Sequence, residues 1–178
     1  VRIHSGKLKA MMQRAGVDER TLAEALDRPG LDAASALRNW LAGRGEPRAR
    51  RSDIEQLASA LSCAPKDIAI FVSESRYVPT SARKARLVVD LIRGKRVDEA
   101  YNALSFCNKR AAKMALRTLR TAIADAEQAD ADVTRLRVAC AWADKAPGLR
   151  RFRPKDRGRA HPYRKHKSHI VVGVEEVA

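Results

Sequence analysis

Aromatic side chains make up only 4% of the 178 residues. That is thin for a large core, and thin for a single-strand binder that stacks successive bases on aromatic platforms. Phosphate contact and shape recognition suit such a composition better. Cysteine is nearly as scarce. Cys63, Cys107 and Cys140 stand far apart, with no CxxC and no histidine at metal-partner spacing, so a disulfide framework and a zinc motif are both excluded. They read as reduced, small apolar residues of a cytosolic protein. No run approaches the roughly 18 apolar residues of a membrane-spanning helix. Val1–Gly6 carries no apolar stretch after its charges, so no secretory signal is expected there. Acidic residues are the last shortage. Against 36 Lys+Arg there are 21 Asp+Glu, a formal net charge of +15. Such an excess repels itself in a compact state and points to a polyanionic partner, nucleic acid or an acidic membrane surface.

The charge is uneven. Residues 1–72 hold 12 basic and 9 acidic side chains, a net of +3, and residues 73–178 hold 24 and 12, a net of +12. No internal repeat or low-complexity linker separates them. The first half reads as short helices. One covers Lys7–Ala15 and stops before Gly16; Asp18 caps another reaching Leu26. Arg28-Pro29-Gly30 signals a turn. Asp32 caps Ala33–Leu41, which ends at Gly43. Ser52 or Asp53 caps a helix through Leu61, and Pro65 suits the first turn of a last one over Lys66–Phe71.

The second half mixes periods. Glu74–Val78 is expected as a short strand, and Ser81 caps a helix to Ile92, stopped by Gly94. A second helix spans Val97–Leu104. The long one spans Lys109–Glu127, with Ala112, Leu116, Leu119, Ile123 and Ala126 as one apolar stripe and Lys109, Lys113, Arg117 and Arg120 as a basic arc beside it. The period then becomes two: Leu136, Val138, Cys140 and Trp142 alternate with Arg135, Arg137, Ala139 and Ala141, and Ile170, Val172 and Val174 form a return strand.

Two features point to RNA. Ala146–Lys167 is too long for a tight turn and too polar to bury itself. Between Leu149 and Lys167 it carries nine cations against the single anion Asp156. Paired as an antiparallel ribbon, its halves would reach roughly 30 Å beyond the body, and the arm would order when phosphates surround it. Arg83, Lys84 and Arg86 crowd the start of the helix after Ser81, where the dipole disfavours cations by a few tenths of a kcal/mol each. A phosphate docked at that end would reverse the sign.

Five segments carry a family resemblance: Arg76–Leu87 (RYVPTSARKARL), Asp90–Lys95 (DLIRGK), Ala122–Glu127 (AIADAE), Arg151–Ala160 (RFRPKDRGRA) and Lys167–Val172 (KSHIVV). In this order they closely resemble bacterial large-ribosomal-subunit protein twenty-two, a universal L-type ribosomal protein, over about Ser73 to Glu176. The resemblance implies an α+β body, three helices on a small antiparallel sheet that extends into a long hairpin over residues 139–172. It implies binding to large-subunit ribosomal RNA, a part in early assembly, neighbouring large-subunit proteins as partners, and a cytoplasmic place in the ribosome. The hairpin would line the peptide exit tunnel and meet the nascent polypeptide at Leu149, Arg150, Arg151, Phe152 and Arg153. The RNA-binding set that follows comprises Arg83, Lys84, Arg86, Lys95, Lys109, Lys113, Arg117, Arg120, Arg150, Arg151, Arg153, Lys155, Arg157, Arg159, Arg164, Lys165 and Lys167. Pro79, Thr80, Ala82, Asp156, His166 and Lys167 depart from the usual pattern and remove no core position.

Residues 1–72 lie outside that resemblance and form an expected all-α domain. Leu22, Ala23 and Leu26, then Arg38-Asn39-Trp40-Leu41-Ala42-Gly43, then Leu57, Ala58 and Leu61, resemble a phage-repressor-type helix-turn-helix. The separating stretch Asp27–Asp32 is longer than the usual tight turn. Trp40 reads as core; Arg38 and Asn39 are the candidates to touch nucleic acid. Three roles stay open for this half: extra contact with ribosomal RNA or a neighbouring protein, DNA binding as a regulator, or none. An enzyme is not expected. His161, His166 and His169 cluster, but in a strand His166 and His169 face opposite ways, no Asp or Glu lies close in sequence to orient them, and no Gly-rich phosphate loop precedes a helix. No catalytic site, metal, cofactor, small-molecule substrate or membrane partner is therefore expected.

Overall fold

His4 opens the first helix by accepting the Lys7 N–H on Nδ1 at 3.1 Å. In the computed structural model, which describes residues 1–28 and 32–177, a two-residue strand β1 (Arg2–Ile3) precedes α1 (Ser5–Ala15). Gly16 ends α1 at φ 62°, a left-handed cap that costs glycine nothing. The short α2 (Glu19–Glu24) follows Asp18. The expected turn at Arg28-Pro29-Gly30 lies, beyond Arg28, outside the described residues. Asp32 then caps α3 (Ala33–Leu41) by accepting the Ala34 N–H at 3.1 Å.

The next two elements differ from expectation. α4 (Arg51–Ala60) begins before its expected cap, so Asp53 sits in its first turn and reaches back to accept the Arg50 N–H at 2.6 Å. α5 is only Pro65–Ile68, and Ala69–Phe71 already belong to strand β2 (Ala69–Val78). The apolar run Ile68–Val72 carries no period that separates helix from strand. Pairing with β1 and β4 decides it.

α6 (Ala82–Ile92), α7 (Val97–Ser105) and α8 (Arg110–Glu127) follow, then β3 (Leu136–Pro154) and β4 (Ala160–Glu176). The strands form one antiparallel sheet in the order β1-β2-β4-β3. β2 thus runs through the boundary at residue 72, pairing Phe71 with Val174 and Ser73 with Val172.

The helices pack on the sheet face that presents Val138, Ile170, Val172 and Val174, all fully buried. Small residues let α8 approach closely. Its buried side is Ala111, Ala112, Ala115, Thr118, Leu119, Ala122 and Ala126, whereas the expected stripe members Leu116 and Ile123 are only half-buried. Thr118 Oγ1 shares a 2.8 Å hydrogen bond with Ser75 Oγ across this contact.

β3 does not keep the expected alternation. A bulge at Ala139 lies between the pairs Val138↔Val174 and Cys140↔Gly173. One extra residue reverses the facing of everything beyond it. Ala141 and Ala143 therefore enter the helix-side core, while Cys140 and Trp142 turn to the other face, toward the N-terminal half. Gly173 makes room for Cys140: a Cβ there would lie 2.5 Å from Cys140 Sγ and 3.1 Å from Cγ2 of Ile70 and of Val72. A single core runs through both halves. Ion pairs also join them, Lys7 to Glu175 and Lys66 to Glu176, each at 3.4 Å, and His4 Nε2 lies 3.4 Å from the Glu175 carboxylate.

β3 is an edge strand, and its outer carbonyls are capped from α6. Arg93 donates to the Ala141 oxygen from Nη2 at 2.7 Å and Nε at 3.1 Å, and Arg86 Nε to that of Ala143 at 3.0 Å. Gly94 N–H reaches the Val138 carbonyl and Arg137 Nε the Gly94 carbonyl. This edge offers little to another strand.

Candidate nucleic-acid interface

Beyond the body, β3 and β4 continue as a bare two-stranded arm. Its ladder runs from Leu149↔Lys165 to Pro154↔Ala160, after an irregularity at Pro147-Gly148. Proline there removes no needed donor, and a Cβ on Gly148 would strike the Arg164 stem at 2.8 Å. At the tip Arg157 and Gly158 take positive φ, 56° and 70°, and Arg159 O accepts the Lys155 N–H at 2.7 Å.

The register assigns the cations to two faces. Arg151 and Arg153 share one with Tyr163 and Lys165, and the Arg153 guanidinium lies 4.9 Å from the Tyr163 ring centre. Arg150 lies on the other, directly opposite Arg164, with Phe152 opposite Pro162. Like charges directly opposed destabilise a strand pair. Leu149 through Pro162 are all exposed, Phe152 at 72%. Arm residues Lys155, Arg157, Arg159 and Lys165 are likewise exposed. Lys167, half-buried at the root, holds its ammonium 5.7 Å from the Tyr77 ring centre.

The remaining candidates sit on the body. Arg83 and Lys84 are exposed at the start of α6, where the Ser81 side chain makes no cap. Arg86 is exposed but spends Nε on the β3 edge. Lys95 is half-buried, and its carbonyl accepts the Val138 N–H. Lys109, Lys113 and Arg117 are exposed along α8, and Arg120 stacks on Tyr101 at 5.2 Å and donates to its hydroxyl. Arg38 is exposed but turned onto its own helix, toward Ala34 O, Ser35 Oγ and Asp32. Asn39 is half-buried and accepts from Arg44 Nη1 at 3.4 Å. Trp40 is core, 3% exposed, and its indole donates to the Pro47 carbonyl at 2.7 Å.

Sequence reasoning missed two groups. Arg93 follows Arg86 by seven residues, two helical turns, and that spacing is the signal that both face β3. His169 has an acidic neighbour after all, Glu74 Oε1 at 3.8 Å, brought from β2 by the sheet register. Among the described residues no group of three or more His, Cys, Asp or Glu could hold a metal ion, and no helix is long and apolar enough to cross a membrane.

The sheet of the α+β body thus extends into a bare cationic ribbon. A family model described as ribosomal protein L22p/L17e matches residues 73–175. The chain belongs to that family and is a ribosomal protein of the large subunit, in a family of structural proteins rather than enzymes. Residues 1–72 precede the matched segment.

Proposed function

We propose that the chain is a structural component of the large subunit that binds large-subunit ribosomal RNA, supports its assembly, and lines the peptide exit tunnel with Leu149, Arg150, Arg151, Phe152 and Arg153. The arm carries this reading. From Leu149 to Lys167 it carries nine cations against one anion, with Arg150 opposed to Arg164, an arrangement that phosphate contacts relieve. The body's exposed cations, Arg83, Lys84, Lys113 and Arg117 among them, add phosphate and sugar contacts that set orientation. The location that follows is the cytoplasmic ribosome. For residues 1–72 we infer added contact with ribosomal RNA or a neighbouring large-subunit protein. No observation favours the DNA-regulator alternative, since Arg38 is engaged by its own helix and Asn39 faces the body.

The test is placement. The tagged chain should sediment with large subunits on a sucrose gradient, and a photo-crosslinker at Phe152 should capture stalled nascent chains. Sedimentation only with free protein would refute the ribosomal reading. Sedimentation without nascent-chain capture would refute the tunnel position alone.

A further inference from the structure

A cleft of about 710 Å³ opens between the loop after α3 and the sheet face opposite the helices. The bulge at Ala139 creates its floor by turning Trp142 outward beside Val171. The Arg2 guanidinium lies 4.8 Å from the Trp142 ring centre. Gly45 lies beside it, where an added Cβ would come within 3.4 Å of Arg2 Cζ. Indole and guanidinium together make a flat wall of the kind on which bases stack. Arg44 and Arg48 rise from the loop at the rim, in a stretch Gly43–Arg51 with four arginines and one acid, Glu46. Among the described residues, none of the ion pairs involves Arg2, Arg44 or Arg48.

Unpaired guanidinium groups beside a stackable wall match a nucleotide: the fork of arginine takes phosphate oxygens, and the wall takes the ring. Glu74 and Asp144 line the same cleft from the sheet side. They repel a phosphate or an acidic side chain from its depth but accept N–H groups from a base edge. The polarity is therefore base inward, phosphate at the arginine rim, which disfavours an acidic protein segment.

We propose that this cleft holds an unpaired nucleotide of ribosomal RNA, its base stacked on the Trp142–Arg2 wall and its flanking phosphates on Arg44 and Arg48. This rests on the RNA-binding reading above and deepens it. Arg2, Arg44 and Arg48 all precede the matched segment, so the first half contributes a contact that residues 73–175 lack.

Trp142 reports on the site. The other tryptophan, Trp40, is buried and hydrogen-bonded. The full chain is titrated with an unstructured RNA heptanucleotide, reading tryptophan emission, with W142F identifying the Trp142 share. Anisotropy of the same oligonucleotide, labelled, reads total binding. Quenching of Trp142 should saturate. R44A/R48A, which changes only exposed side chains, should raise the quenching midpoint about ten-fold or more while anisotropy, dominated by the arm, moves less. Binding by anisotropy without Trp142 quenching, or quenching indifferent to R44A/R48A, would overturn the cleft proposal and leave the RNA reading standing. No anisotropy change at low salt would defeat the RNA reading itself. Equal quenching by adenosine monophosphate alone or by a poly-glutamate peptide would reassign the cleft and overturn the proposal.

Discussion

Arg28 and Asp53 meet as a buried ion pair inside the N-terminal half, Nη2 to Oδ2 at 2.6 Å and Nε to Oδ1 at 3.1 Å, with side chains 3% and 1% exposed. Arg28 also donates to the Arg48 carbonyl at 2.9 Å and lies 5.0 Å from the Trp40 ring centre, so one guanidinium ties α4, the loop after α3 and α3 itself together. Burial, the largest single influence, pushes the Asp53 carboxyl up. The Arg28 hydrogen bonds, the Arg50 N–H and both arginine charges together outweigh it and hold the group below its ordinary 3.8.

A carboxyl lowered on folding adds stability that is complete above its unfolded pKa and is lost as pH falls through the folded one. The full chain should therefore lose melting temperature below about pH 4. D53N, which leaves Arg28 buried and unpaired, should cost on the order of 3–5 kcal/mol at neutral pH and flatten that acid limb. An unchanged limb in thermal melts of the variant would refute this account.

The strand that crosses residue 72 gives a second prediction. A chain cut to begin at Ser73 keeps the arm and the net of +12, and should still sediment with large subunits at moderate salt. It loses Phe71, buried in the shared core, and it uncovers Cys140 and Trp142. The single change F71A should cost about 3–5 kcal/mol in urea unfolding of the full chain, and the fragment should unfold more readily still. Equal stability of fragment and full chain would show that the halves do not support each other.

The α+β architecture, the three helices of the second half and the paired arm were legible because each rests on a local period or on charge density. The misses that shape the site are long-range. Nothing in Leu136–Trp142 announces that Ala139 bulges, because both facings of Cys140 and Trp142 satisfy a period of two until Gly173 is seen opposite. Arg28 read as part of a turn because its partner lies 25 residues on, inside another helix. Glu74 and His169 join only through β2–β4 register. The candidate cations were findable from charge alone, but not their division of labour: Arg86 braces a strand edge while Arg83 is exposed at the helix start.

The arm should behave as an electrostatic device. Replacing Arg150, Arg151 and Arg153 by Ala removes exposed side chains and should leave the body's melting temperature unchanged. Binding to large-subunit RNA should weaken, each lost phosphate contact removing roughly 0.7–0.9 from the log–log salt slope. R150A alone should also make the free arm easier to order, because it removes the like charge opposite Arg164, an effect on the order of a few tenths of a kcal/mol. Hydrogen exchange of the arm amides measures that change. A melting temperature lowered by many degrees with an unaltered slope would make these arginines structural.

The last prediction separates the two arginines that flank the end of α3. Groove entry needs a recognition helix free on one side and held at a fixed angle to its predecessor. In α3, Asn39 lines the cleft against the sheet, and Arg38 points along its own helix toward Asp32 and Ser35. R38A should therefore leave both RNA binding and duplex DNA binding within about two-fold, as an exposed change distant from any phosphate contact does. R44A, at the rim of the cleft, should weaken RNA binding measurably. Selection of random duplex DNA by the full chain at physiological salt should return weak, sequence-blind binding. Recovery of a defined sequence whose enrichment R38A or N39A abolishes would establish a DNA reader, and the first half would then need a place outside the ribosome.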